Sequence, residues 1–336
     1  MRVVILIGNP SDKRYSMQDC ASSLLSLYEL FGHTSSIYYL SFFSSHLRVV
    51  KVFDRYFIAP LLALFINADF VHLVDHAYGH VLPFIRAKKI ITVHDLIPLS
   101  PLASPVIPLH TRWLFFLSVY LGILSADFIT VVSNYTRLSL LNHFNLSKFI
   151  HLTHNILARP ELSISKSHKS FDILISGNSF YKNHDYSAGV LSSFPSPLNI
   201  ALLNPSEFVC QILQKSKHNI TIFRDLSSII PLYESSFLSI NLSLIEGYGL
   251  TPFEAACHNC CPIISRIPIF EELHPSSLSS MVSLDDSQQL LNEVFKLLSE
   301  PFYLKCRLSN VLYDFQSQLY TKNSFSSFIS SLPVLQ

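Results

Sequence analysis

The chain has 336 residues, of which 49% are apolar and 14% charged, so it is not a disordered chain and has material for two cores of about 150 residues each. Its 24 lysines and arginines nearly cancel 23 aspartates and glutamates, which excludes a basic face for neutralising a nucleic-acid backbone. Six scattered cysteines, Cys20, Cys210, Cys257, Cys260, Cys261 and Cys306, show no disulfide framework and fit a reducing cytosol.

In chain order, the run Met1-Arg-Val-Val-Ile-Leu-Ile-Gly8 is too short for a secretory leader and predicts a buried first strand. Cys20, Leu24, Leu27 and Phe31 recur at helical spacing, with Gly32 as a stop. Short apolar runs at 70–74, 90–93 and 128–132 predict further strands, separated by helical stretches such as 108–124. The uncharged, strongly apolar run 113–126 is shorter than a bilayer crossing requires and reads as a buried helix. This alternation predicts a parallel sheet covered by helices on both faces. Three of its strands end in polar pairs: Asp75-His76, His94-Asp95 and Ser133-Asn134. The carboxyl ends of parallel strands line the ligand crevice, so these pairs mark a predicted site.

Residues 158–169, with Pro160 and several Ser and Lys, read as a linker. A second α/β unit starts near Phe171, with strands predicted at 171–175, 199–203, 221–223, 238–241 and 262–264, and residues 303–332 read as helical. The predicted architecture is two Rossmann-like, doubly wound domains facing each other across a cleft, 1–157 and 170–310. A helical segment, 311–336, crosses back towards the first.

The most informative segment is Glu246-Gly-Tyr-Gly-Leu-Thr-Pro-Phe-Glu254, which follows a strand and opens a helix. Thr251 reads as the N-cap, Pro252 as the first helical residue and Glu254 as the third, a capping box that accounts for Glu254 without any ligand. Gly247 and Gly249 let the backbone approach a bound group, and the helix start offers N–H donors to an anion.

The Glu-x7-Glu spacing around Gly-aromatic-Gly-Leu-x-Pro resembles the retaining nucleotide-sugar glycosyltransferases of the GT-B fold, family four in particular. Four further segments resemble that family in its order: Thr92-Val-His94-Asp95-Leu-Ile-Pro-Leu, 126–136, Gly177-Asn-Ser-Phe-Tyr-Lys182-Asn183, and 262–272. The resemblance implies transfer of a hexose from a UDP- or GDP-linked sugar to an acceptor hydroxyl, with retention, no metal and no cofactor beyond the sugar nucleotide. It implies His94, Glu246 and Lys182 at the reaction centre. Gly177, Asn178, Lys182, Asn183, Glu246, Gly247, Tyr248, Gly249, Leu250, Thr251 and Glu254 would hold the donor. Gly8, Asp75, His76, Asp95 and Ser133 are the candidates on the acceptor side. The chain departs from the family at Tyr181, where relatives carry Arg, and Arg137, Arg224 and Arg266 are the candidates to replace that charge.

Other readings stay open at this point. Glu246 and Glu254 are also the paired carboxylates a glycosidase would use. The fold is shared by phosphorylases and epimerases, and low glycine with the missing Arg fits a degenerate sugar-binding scaffold. His76 and His80 with His94-Asp95 are a candidate metal set, and Cys257-x-x-Cys260 is half a zinc motif against buried free thiols. The apolar stretches 53–65 and 113–124 suggest core, or peripheral contact of a cytoplasmic protein with a membrane.

Overall fold

The structure, a computed structural model, describes residues 1–9, 15–43, 47–155, 169–226, 228–274, 279–299 and 321–332. The predicted linker apart from Lys169, Cys306 and the first part of the predicted terminal helix lie outside these residues. The chain divides into two compact units, Met1–Ala158 with Tyr320–Gln336, and Arg159–Leu319.

In unit 1 the described residues form a six-stranded parallel sheet from Arg2–Ile7 (β1), Thr34–Tyr39 (β2), Phe70–Leu73 (β3), Lys88–Val93 (β4), Phe128–Val131 (β5) and Ile150–Leu152 (β6). The strand order is β2-β1-β3-β4-β5-β6. β1 and β3 are buried almost throughout, as their unbroken apolar runs require. β2 and β6 are edge strands; β2 is half exposed and poor in aliphatic residues, β6 is only three residues long, and no apolar run announces either. Tyr15–Leu30 (α1) ends where Gly32 takes φ +77°. Its Tyr28 packs edge-on against Phe325 of a last helix, Thr321–Ser331, with ring centroids 5.2 Å apart. That helix adds Phe325, Phe328 and Leu332 to the cluster of Ile5, Tyr28 and Phe70.

A chain of polar groups runs through this apolar sheet. Tyr28 Oη lies 2.9 Å from His72 Nδ1, His72 Nε2 lies 2.6 Å from Thr92 Oγ1, and Thr92 Oγ1 lies 2.7 Å from Thr130 Oγ1. Each buried polar group therefore has a partner, as burial demands. Burial, with His94 nearby, lowers the pKa of His72 to about 3.

On the other face, the helix Leu109–Ser125 is only half buried, contrary to the expectation for 113–126. Val119, Gly122 and Ile123 face the core, while Leu109, Trp113 and Leu124 are exposed. Its spacing serves a surface helix with one apolar stripe inward and a second, unpartnered one outward. The inward stripe meets a 3-10 stretch, His76–Phe84, through Gly79 and Gly122. A Cβ on Gly79 would fall 2.4 Å from the Ser118 carbonyl oxygen, and one on Gly122 would fall 2.8 Å from Gly79 Cα.

Unit 2 contains a second six-stranded parallel sheet, from Phe171–Ser176 (β7), Asn199–Leu203 (β8), Asn219–Phe223 (β9), Ser236–Asn241 (β10), Cys261–Ser265 (β11) and Ser280–Val282 (β12). Its order is β12-β11-β10-β7-β8-β9. Counted from its own first strand this is the 3-2-1-4-5-6 winding, and direction reverses between β7 and β10. Cys260 and Cys261 are buried thiols inside this unit, and burial raises the Cys260 pKa well above the usual range.

Backbone contact at Gly79 leaves no space for a methyl group. Gly79→Ala should destabilise the protein by about 1–3 kcal/mol, measured by denaturant unfolding. A change within error of zero would show that the His76–Phe84 stretch yields freely.

Candidate functional site

In unit 2 the crevice at the switch point is built by two loops, one after β7 and one after β10. The β7 loop turns at Gly177, φ +96°, and passes through a short 3-10 turn, Phe180–Lys182. Asn183 then takes the left-handed conformation, φ 57°, and starts the helix His184–Ser192. The helix's first side chain secures the loop: the His184 ring bonds the Gly177 carbonyl, and burial followed by the nearby Lys182 charge lowers its pKa to about 4. Asn178 stands exposed on the same loop.

The two loops are joined by backbone and by charge. Leu244 N donates to the Tyr181 carbonyl at 2.8 Å. Lys182 Nζ donates to Glu246 Oε1 at 2.6 Å, both side chains being largely buried. The same Oε1 accepts from Ser243 Oγ at 2.8 Å, and the Ser243 carbonyl accepts from Ser265 Oγ at 2.5 Å. Burial alone would lower the lysine pKa. The Glu246 carboxylate, with Tyr181 and Glu254 beyond it, outweighs burial, and the pKa rises. Lys182 therefore stays charged. Tyr181, in the place of the missing Arg, sets its ring 5.6 Å from the ammonium.

The helix after the glycines corrects one expectation. It spans Leu250–Cys257, and its N-cap is Gly249 (φ 76°, ψ 61°), not Thr251. Thr251 and Pro252 lie inside the first turn, and there is no Thr251–Glu254 capping box. A left-handed glycine brings the helix start forward, where only Gly avoids the steric cost. Glu254 is thereby exposed in the second turn rather than used in a cap, and it is close enough to raise both Lys182 and Tyr233. Gly249 is also pressed from outside, because a Cβ there would fall 2.2 Å from Phe270 Cε1. Buried His274 stacks on Phe253 at 3.8 Å and bonds the Gly249 backbone, and burial lowers its pKa to about 3. Tyr248, also buried, packs against Phe253. Ser243, His184 and His274 were not among the expected site residues. For His184 and Ser243 only their places, one residue past Lys182-Asn183 and three before Glu246, could have signalled them; His274, after the helix Pro268–Leu273, carried no such signal.

Unit 1 brings the three polar strand ends together, since β3, β4 and β5 are adjacent. His94 is buried, its backbone N–H points at His76 Nδ1 at 3.5 Å, and the two rings are 6.0 Å apart. Burial, then His76, lowers the His94 pKa to about 4, against the opposing pull of Asp95, Asp75 and the Val74 carbonyl. Neutral His94 must carry its proton towards that carbonyl, which can only accept. Its Nε2 is buried with no partner among the described residues, leaving a lone pair.

Other polar ends hold the scaffold. Ser133 caps the helix Asn134–His143 through Thr136 N at 3.0 Å, and Thr136 Oγ1 donates to the His94 carbonyl at 3.2 Å. Asp95 accepts from Ile97 N, and His80 is committed to Ser118 Oγ and the Arg55 carbonyl. Among the described residues no group of three His, Cys, Asp or Glu is set to hold a metal. Gly8 and Asp75 meet at the β1–β3 reversal, where a Cβ on Gly8 would lie 2.9 Å from Asp75 Oδ2. They line a small open recess with Ile7, Asn9, Met17, Gln18 and Tyr39.

No family model matches the chain. It is 23% identical over 203 residues to the O-antigen chain mannosyltransferase RfbU of Salmonella typhimurium, an alignment covering 58% of this chain and 56% of that protein. The aligned part is thus little more than half of that relative. Three solved structures share the fold over nearly the full length. Anabaena HepE, in complex with UDP and glucose, has TM-score 0.69 and 12% identity, covering 99% of this chain and 100% of that one. Sucrose-phosphate synthase from Thermosynechococcus elongatus has TM-score 0.71 and 10% identity, covering 98% of each. The E. coli structure described as trehalose-6-phosphate bound with UDP-2-fluoro glucose has TM-score 0.69 and 11% identity, covering 99% and 100%. The chain has the GT-B fold.

The buried histidines set a pH dependence. His72 and His274 (about 3), and His80, His94 and His184 (about 4), lie below their ordinary 6.5. Between pH 6.5 and about 4 the unfolded chain therefore binds protons that the folded chain does not, so stability falls on acidification through that window. Tm followed by circular dichroism should drop steadily from pH 7 to pH 4.5. A constant Tm would contradict neutral burial of these rings.

Proposed function

We propose that the protein is a retaining glycosyltransferase that moves a hexose from a nucleoside-diphosphate sugar to an acceptor hydroxyl in glycoconjugate synthesis. The observation that carries this reading is the Lys182–Glu246 pair, 2.6 Å apart at the switch point of a Rossmann-ordered sheet. Beside it lie a left-handed glycine and a helix start. A buried cation, preorganised N–H donors and carboxylates at one crevice suit a ligand that joins a diphosphate to polyols. The mannosyltransferase relative and the UDP-bound structures of the same fold support it.

In the proposed mechanism Lys182 and the N–H groups of the first turn after Gly249 stabilise charge on the departing diphosphate. Preorganised donors of this kind contribute roughly 10²–10³ in rate each. Glu246 accepts hydrogen bonds from the sugar hydroxyls, Ser243 holding its carboxylate in place. Glu254, free of a capping role, takes the ribose hydroxyls. The Glu246 carboxylate is already engaged by a cation and a hydroxyl, an arrangement better suited to orientation than to covalent attack. Front-face attack therefore accounts for retention, with the diphosphate oxygen taking the acceptor proton. Lys182 supplies the positive charge, so the reading calls for no metal. On unit 1, the lone pair of His94 Nε2 accepts a sugar hydroxyl, and Asp75 beside Gly8 takes the acceptor.

Thermal shift with uridine, guanosine and adenosine diphosphates and their sugars tests the donor half. A ligand at 100 times its Kd adds about 2.7 kcal/mol, several degrees in Tm. A response to one base is expected, and none at millimolar concentration would favour a scaffold without donor binding. Glu246→Ala should lower turnover by at least about 10²-fold while nucleotide binding persists. Near wild-type turnover would remove Glu246 from the site. Lys182→Gln should weaken the diphosphate more than the nucleoside monophosphate, by about tenfold or more, read by calorimetry.

A further inference from the structure

Two buried histidines of unit 2 make the same contact, one at each loop of the crevice. His184 is 7% exposed and His274 is 3% exposed. The His184 ring bonds the carbonyl of Gly177, φ 96°, and the His274 ring bonds that of Gly249, φ 76°. Burial keeps both rings neutral near pH 7. A carbonyl can only accept, so each neutral ring gives its one N–H to a glycine. In His274 the donor is Nδ1, because Nε2 is buried with no partner among the described residues.

Both glycines are fixed from more than one side. The His274 ring stacks on Phe253 at 3.8 Å and meets Phe270 edge-on at 5.1 Å. Its own backbone N–H donates to the Phe270 carbonyl at 2.8 Å. On the other loop, Gly177 N donates to the Leu203 carbonyl at 2.9 Å. In a planar trans peptide the C=O and the following N–H point in opposite directions. Holding the Gly177 carbonyl therefore turns the Asn178 N–H away from His184. Holding the Gly249 carbonyl turns the Leu250 N–H away from His274. Leu250 opens its helix, where no intrahelical acceptor exists. Neither of these N–H groups meets an acceptor among the described residues.

We propose that His184 and His274 are positioning residues, which aim the Asn178 and Leu250 N–H groups at the diphosphate of a sugar nucleotide. The inference rests on the donor site proposed above. The same two loops carry Lys182 and Glu246, which join them. Burying an imidazole for a single bond is costly, and His274 leaves its Nε2 unused. A phenylalanine would stack on Phe253 without that cost. What the imidazole adds is a fixed peptide plane at Gly249.

Ligand-observed NMR titration of the full chain with uridine, guanosine and adenosine diphosphates, and with the matching nucleosides, tests it. His274→Phe keeps the stack and removes the donor. It should weaken the diphosphate that the native chain binds by about tenfold, at unchanged nucleoside affinity. His274→Asn, whose amide can stand in for Nδ1–H, should recover most of that loss. His184→Phe should behave as His274→Phe does. Unchanged diphosphate affinity in both phenylalanine variants would overturn the inference and leave the donor site standing. Equal losses for diphosphate and nucleoside would also overturn it, because the loops would then be merely loosened. No binding of any diphosphate by the native chain would overturn the donor reading and this inference with it. The native chain labelled with ¹⁵N at histidine gives a reading that needs no folded variant. Both rings should show one protonated and one unprotonated nitrogen, and both should shift with the diphosphate but not with the nucleoside. Exchange-averaged ring nitrogens, or rings that ignore the diphosphate, would overturn the inference.

Discussion

Every strand in each six-stranded sheet runs parallel to its neighbours, and that constraint places the chemistry. Parallel pairing sends all carboxyl ends to one edge and forces each return through a helix on a face. Loops leaving adjacent strands then diverge where the winding reverses, and the gap between them is a crevice made only of strand ends. In unit 2 the reversal separates β7 from β10, whose paired residues, such as Ile173 and Leu238, are 65 apart in sequence. Lys182 and Glu246 meet there because the topology brings the two loops side by side. In unit 1 the reversal falls between β1 and β3, and Gly8 meets Asp75 for the same reason.

Much of this was legible in the sequence, because strands buried on both faces must be apolar along their length. β3, β4, β5, β7, β8, β10 and β11 each match a predicted run within a few residues. Of the edge strands only β9 was legible, at 221–223: β2 reads Thr-Ser-Ser-Ile-Tyr-Tyr, and β6 and β12 are three residues long. The half-exposed helix Leu109–Ser125 misled for a related reason. An apolar composition normally means burial, but here Leu109, Trp113 and Leu124 face outward. At the loops after β7 and β10 the family resemblance pointed to Lys182 and Glu246, which the structure brings together, whereas the N-cap did not follow from local rules. Thr-Pro-Phe-Glu satisfies every local preference for a cap. The structure overrides it because Gly249, held against Phe270 and His274, starts the helix earlier than Thr251 can. Ser243 and His184 were illegible because single polar residues beside a loop carry no pattern.

The π-helical turn at Asp54–Ile58 shows how one segment can serve two environments. A regular helix would carry the sequence past the point where Asp54 and Arg55 both face inward. The extra residue per turn lets Asp54 gather the Ser41–Phe43 loop and Asn9, next to Gly8, while Arg55 reaches Ala77, two residues from Asp75. The recess lined by Gly8, Asn9 and Asp75 therefore hangs from the inner side of the segment whose outer side is apolar.

The ion pair in unit 2 also has a consequence for ligand entry. A lysine buried without an anion would lose its proton, and a carboxylate buried without a cation would gain one. Glu246 prevents the first at Lys182, where the carboxylate outweighs burial and the pKa rises. An incoming diphosphate brings more charge than one carboxylate, so it competes directly with Glu246 for the ammonium. Ser243 makes that exchange tolerable, because Glu246 keeps one fixed hydrogen bond when the lysine turns away. The carboxylate oxygen released by the lysine, still held by Ser243, then has a lone pair open to the newly bound group. On the proposed reading that group is a sugar rich in hydroxyl donors. On that reading the charge that joins the two loops is the charge that a donor must redistribute, and a ligand bringing the diphosphate without the hydroxyls would complete only half of the exchange.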